Sequence, residues 1–239
     1  MIRRLGLASL AALALTACSP LADLGSDLGA QLGLDPAPLA LTDPLGPSTR
    51  GKLLRETRDP EACRAWLANQ GVAFTPMADR DEGEFCSVRN AGALGNALGG
   101  GATGPLSPAR PMMTCELAAA VAVWRAQSVE PAAREILGAG VSSLDHFGVY
   151  ACRRVNNTTD GRPSAHARAA AIDIGAFRLT NGRRVSVEQD WSGDDPEARF
   201  LHRVRTDACR IFGTVLSPDY NAAHANHLHL EGEGGRLCG

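Results

Sequence analysis

From about residue 56 onward the chain is a succession of short apolar patterns, each bounded by a turn signal. Asp59-Pro60-Glu61 sets an N-cap residue before a first-turn proline. Cys63, Trp66 and Leu67 then follow at three/four spacing as far as Gly71, which predicts a helix. Val72–Phe74 and Phe85–Val88 read as short strands. Thr114 caps a second helix with Leu117, Val121 and Trp124 on one stripe, and a further short helix is expected over Pro131–Leu137, stopped by Gly138. Leu144–Cys152 reads as a strand, 156–163 as a polar loop, and His166–Ala170 as one helical turn. Ala171–Phe177 is a buried strand, and Asn181-Gly182 is a hairpin turn leading to Val185–Val187. Asp194-Asp195-Pro196-Glu197 opens the last helix, with Leu201, Val204, Ala208, Ile211 and Phe212 inward and Gly213 as its stop. A final strand carries His227–Leu230. Helices early, strands late and antiparallel turns predict an α+β domain, with helices packed on one mainly antiparallel sheet.

The pattern before residue 56 is different. Arg3 and Arg4 precede an apolar run, Leu5–Leu15, that is too short for an ordinary membrane span and reads as a secretory signal over residues 1–17. It ends in Leu15-Thr16-Ala17-Cys18, which resembles the bacterial lipobox. That resemblance implies cleavage before Cys18 and a lipid anchor on it, with Ser19 leaning toward the outer membrane. Residues 18–55 hold a weak Leu-Gly echo and then Pro36, Pro38, Pro44 and Pro47, and are expected to be a flexible linker. The folded domain is expected over 56–239. The glycine-rich stretch 91–104 lacks the Gly-Lys-Ser/Thr ending of a phosphate loop and is expected to be a mobile loop.

Composition changes this picture in two places. An apolar content of 44% supports a real core, and a formal net charge of -2 gives no argument for nucleic acid as a partner. Setting Cys18 aside, the seven cysteines leave an even set of six, which in an exported chain reads as a disulfide framework. The pairing expected is Cys63–Cys86, Cys115–Cys209 and Cys152–Cys238.

The chemistry gathers in two clusters. Ser164-Ala165-His166 is followed by Asp173, an acid set between Ile172 and Ile174, where an unpartnered carboxylate is costly. Near the end, His224-Ala225-Asn226-His227-Leu228-His229-Leu230-Glu231 holds three of the six histidines. Strand alternation puts His227, His229 and Glu231 on one face and the two leucines on the other. Imidazole and carboxylate donors suit zinc. His146 and His202 read as satisfied or surface residues, Asp190 and Trp191 as packing residues, and Ser164 as an N-cap.

The spacing Ser164-x-His166-x6-Asp173 with the later His227-x-His229 resembles the zinc D-Ala-D-Ala peptidases and murein endopeptidases. Residues 60–239 resemble more closely the bacterial extensin-like C-terminal domain family. That resemblance is carried by Tyr150–Arg153, Ser164–Asp173, Asp190-Trp191, Phe212-Gly213 and Tyr220–Leu230. It implies a zinc peptidase-like fold with one Zn²⁺ held by His166, Asp173 and His229. His227 would then be the base, His224 a second polar group near it, and Arg153 a stabiliser of developing negative charge. Two departures stand out. Ala169 occupies a position where the peptidases have glycine, and Asn226 stands where many have an acidic base.

The function these features imply is that of a monomeric, lipid-anchored hydrolase on the periplasmic side of a bacterial envelope, cleaving peptidoglycan peptide or another envelope amide. The alternative is a non-catalytic module that keeps the fold and binds murein or a protein partner. A disulfide-stapled structural lipoprotein is the third possibility.

Overall fold

The computed structural model describes residues 37–83, 85–95 and 106–239. The signal, the lipobox with Cys18, the first half of the expected linker and most of the glycine-rich stretch lie outside the described residues. Among the described residues no helix is long and apolar enough to cross a membrane.

In chain order the elements are α1 (Thr49–Glu56), α2 (Pro60–Asn69), β1 (Phe74–Pro76), β2 (Arg80–Asp81), β3 (Ser87–Val88), β4 (Ala91–Leu94), β5 (Leu106–Ser107) and β6 (Met112–Thr114). Then come α3, which begins as Cys115–Trp124, β7 (Val141–Gly148), β8 (Ala171–Leu179) and β9 (Arg184–Ser186). The last are α4 (Val187–Asp190), α5 (Pro196–Ala208), β10 (Thr214–Leu216), β11 (Leu228–Glu231) and β12 (Leu237–Cys238). The fold is α+β, as the apolar pattern predicts, but with mixed sheets rather than one. The principal sheet runs β12-β10-β11-β8-β7-β5, with β9 added alongside β8. Its outermost pairs, β5 with β7 and β10 with β12, are parallel, and its central pairs are antiparallel. Strands β1, β4 and β6 form a second sheet and β2 with β3 a small hairpin. Ala91–Leu94, expected as loop, is therefore a buried strand of that second sheet.

The caps hold where the residue types demand them. Asp59, Thr114 and Asp195 each accept a hydrogen bond from a first-turn amide, those of Ala62, Leu117 and Ala198. Helix α3 corrects the expectation of two helices. After Trp124 it continues through wider turns at Arg125–Val129 and Ala133–Leu137 on either side of Glu130–Ala132, and ends only at Gly138, which is left-handed. Pro131 has no amide to donate, and the wider turns carry the helix past it without a break. Every residue of Cys115–Trp124 except the half-buried Glu116 is buried, so the expected stripe widens to a nearly all-round apolar core helix. Trp124 is at its centre, edge-on to Phe177 and Phe212 and donating its indole N–H to the Val204 carbonyl at 2.9 Å.

The linker expectation fails for its second half. Leu39, Leu41 and Leu53 are buried in the main core and α1 is a regular helix. The Trp66 indole donates to the Leu39 carbonyl at 2.8 Å, and the Leu41 amide donates to Gln70 at 2.9 Å. Pro44 and Pro47, which suggest a tether, sit between leucines that the core takes up.

All six cysteines are paired, but none of the expected partners is right. The bonds are Cys63–Cys115, Cys86–Cys152 and Cys209–Cys238. Cys63–Cys115 ties α2 to the start of the core helix, and Cys209–Cys238 ties the end of α5 to the edge strand β12. Pairing depends on which Cα atoms come within reach after the sheet has formed, which linear spacing does not encode.

A protein shortened to begin at residue 57 is expected to remain folded but to lose about 4 kcal/mol or more, at about 1.5 kcal/mol or more for each buried leucine removed. Urea denaturation of the two forms measures this, and equal midpoints would mean the segment contributes nothing.

Candidate metal centre

The register of two strands builds the centre. Leu228, His229 and Leu230 of β11 stand opposite Ile174, Asp173 and Ile172 of β8. The two leucines and two isoleucines are fully buried in the core, so His229 and Asp173 meet on the opposite face. Their contact is 2.8 Å between Nδ1 and Oδ1. His166 arrives from the single helical turn Ala165–Arg168, and its own amide donates to the Ser164 hydroxyl. Its Nε2 lies 3.2 Å from Asp173 Oδ2 and 3.2 Å from His229 Nδ1.

Ala169 closes that turn. Its φ is 55°, in the left-handed region, and it is fully buried. The position does require the conformation for which glycine is the usual choice, and alanine holds it at a cost of about 1–2 kcal/mol. The Thr114 amide donates to its carbonyl, fastening the turn to the start of the core helix.

Hydrogen-bond partners fix the tautomers. The Val149 carbonyl, 2.8 Å from His166 Nδ1, can only accept, so that nitrogen carries the hydrogen and Nε2 presents its lone pair inward. Glu231 Oε1, 3.0 Å from His229 Nε2, does the same for His229, leaving Nδ1 inward. With neutral imidazoles, two nitrogen lone pairs and a carboxylate then face one point, which could hold a cation. A tetrahedral zinc with bonds of about 2.0–2.1 Å places its donors about 3.3 Å apart, close to the spacings here. The donor set, the spacing and the outer hydrogen bonds all fit such an ion.

In the metal-free protein a proton takes that place. Burial disfavours charge on His229, but hydrogen bonds to Asp173 and Glu231 outweigh it and push the imidazole up to about 9. Burial likewise raises the Asp173 carboxyl, and the bonds from His166 and His229 overturn this and hold it well below the usual carboxylate range. Glu231 is brought down in the same way by His229 against its own burial.

His227 lies beside this set, its Nε2 3.5 Å from Asp173 Oδ1. Asn226 Oδ1, at 2.8 Å, accepts the Nδ1 hydrogen, so the nitrogen facing the site is the one free to take a proton. Asn226, read from the sequence only as a lost acid, is thus the residue that orients His227. His224 is held likewise by Asn221 Oδ1 at 2.7 Å. Burial is the main reason both imidazoles resist protonation, His224 being lowered to about 4.

Arg153 is not at a strand end, since β7 stops at Gly148. It lines a cavity of about 550 Å³ that also includes Asp173, His224, His227 and His229, and its charge further disfavours protonation of His224 and His227. The segment carrying it is clamped to the β2–β3 hairpin. Arg80 lies over the Tyr150 ring, Arg154 over the Phe85 ring, and Cys86–Cys152 bonds between them. His146 and His202 stand outside the cluster, bonded to the carbonyls of Pro108 and Trp191. Asp190 accepts from the Ser186 amide, and Trp191 donates to Asp219.

A family model described as Extensin-like protein C-terminus matches residues 61–239. Neither the curated proteins nor the solved structures contain a match to the chain.

The titrations predict opposite pH trends with and without metal. Protonated His229 is favoured by folding, so its contribution is complete below its unfolded pKa of about 6.5 and is lost as pH rises through about 9. Zinc needs the neutral imidazole, so its added stabilisation grows over the same window. Thermal melts in chelator should fall from pH 6.5 to 9, melts in zinc should move away from them, and His229→Ala should abolish the divergence.

Proposed function

The chain belongs to the extensin-like protein C-terminus family, and from that premise and the three-donor centre we propose that it is a zinc-dependent amide hydrolase akin to the D-Ala-D-Ala and murein peptidases. Its substrate is peptidoglycan peptide or another envelope amide. Two imidazole lone pairs, each turned inward by its own outer partner, and the Asp173 carboxylate that meets them carry this reading. The shared His-x6-Asp spacing with a third ligand near the end of the chain supports the kinship. The N-terminal pattern supports a location in the cell envelope, with a lipid anchor on Cys18, the domain facing the periplasm and the outer membrane favoured.

His166, Asp173 and His229 would hold the zinc, which when bound would supply Lewis acidity and bring the pKa of water down to about 7. Val149 and Glu231 keep the two ligand imidazoles in the tautomer that ligation needs. His227 Nε2 accepts a proton from the attacking water and returns it to the departing amine, while Asn226 keeps that nitrogen turned inward. Arg153 stabilises the negative charge that develops on the substrate carbonyl oxygen. His224 borders the path without taking part in ligation.

Asn226 also favours a second reading, because it stands where related peptidases carry an acidic base. Without His227 as an effective base the protein would bind murein and leave it intact.

The mature protein is expected to retain one zinc per chain and to release muropeptide fragments detectable by mass spectrometry, with chelator abolishing release. His166→Ala, Asp173→Ala and His229→Ala should lose both metal and activity. His227→Ala should keep the metal and lose activity about 10²- to 10⁴-fold. Zinc with sacculus binding and no released fragment would establish the second reading. A folded wild-type protein from zinc-replete medium that holds no metal would overturn the hydrolase reading.

A further inference from the structure

Beside the centre, and unused by the chemistry above, stands Phe147. It is 59% exposed, which alone means nothing, since single exposed apolar residues are ordinary. Three further features give it meaning. His146 pairs with Ile174 and Gly148 with Asp173, so β7 advances two residues while β8 advances one. The step before runs the other way, Asp145 pairing with Ala176, so the ladder keeps its register overall but is locally irregular at Phe147 and Gly175, beside Asp173. Its ring stands over Gly175, which shares a face of β8 with Asp173, and a Cβ at 175 would lie 2.6 Å from the ring. The ring also meets His227 edge-on at 5.9 Å between centroids. It is thus seated on bare backbone, against the base, and is not among the residues that line the cavity with Arg153, Asn156 and Arg162.

We propose that Phe147 is a specificity-determining residue: an apolar shelf for the alkyl side chain of the substrate residue that projects out of the cavity. Gly175 is its positioning residue, keeping the ring close to the sheet. The inference rests on the amide-hydrolase reading and adds to it that one side of the cleaved bond is apolar and the other polar. Burying a side chain on the ring is worth roughly a tenfold preference or more.

The test uses the zinc-loaded mature protein with Phe147→Ala, Phe147→Leu and Gly175→Ala, read by zinc content, co-sedimentation with purified sacculi, and turnover of muropeptides bearing alanine or glycine beside the cleaved amide. Zinc content is expected to be unchanged in all three. Phe147→Ala and Gly175→Ala should lower sacculus retention and raise KM about tenfold for the alanine substrate, with kcat within a few-fold and little change for the glycine substrate. Phe147→Leu should restore most of the loss. Equal retention and equal KM in wild type and Phe147→Ala, with zinc present, overturns this inference alone. Absence of zinc from the wild type overturns the hydrolase reading instead, and retention that still depends on Phe147 would keep the shelf as part of a binding surface.

Discussion

The short antiparallel pairing of Leu228–Glu231 with Ala171–Ile174 is the constraint on which the rest depends. It sets His229 opposite Asp173 and at the same time sends Leu228, Leu230, Ile172 and Ile174 into the core. A slip of one residue would bury the acid and the imidazole and expose the aliphatic side chains. The core thereby enforces the register of the chemistry. The same pairing brings Glu231 up beside His229 to fix its tautomer. The long core helix supports the arrangement from behind, and Gly232 allows the end of β11 to approach within what would be 2.9 Å of the Leu117 backbone for an added Cβ.

A carboxylate and two imidazoles gathered in a largely buried place are stable only when positive charge accompanies them. A proton shared with His229 supplies it, and a divalent ion held by the same three residues would compete for the same lone pairs. Cost has been accepted nearby to keep this arrangement: Ala169 is held left-handed to return the chain from His166 into β8. Asn156 and Asn157, in the cavity wall, are also left-handed, so conformations that are uncommon for non-glycine residues recur around the cleft.

Much of this was legible in residue order. Alternation around His229, the aliphatic neighbours of Asp173, the N-caps at Asp59, Thr114 and Asp195, and the Asn181-Gly182 turn all act over a few residues. Their consequences therefore appear in the sequence itself. The leucines at 39, 41 and 53 were misread because prolines around them signal a linker, and only the presence of a receiving core makes those leucines structural. The break expected at Pro131 failed because a helix can widen around a missing amide when packing holds both sides of it.

Residue identity by itself determined the donor types, their strand faces, the even set of cysteines and the α+β class, since each follows from local periodicity and side-chain chemistry. Tertiary structure alone decided the rest. Neither the convergence of His166 on the Asp173–His229 pair nor the three disulfide partners could be read from spacing, because both depend on distances between segments far apart in the chain. The same holds for the Val149 carbonyl that fixes a tautomer, whose role any residue's backbone could have filled, and for the contact of the Phe147 ring with His227. Local sequence sets which groups a segment offers, and only the packed chain sets which of them meet.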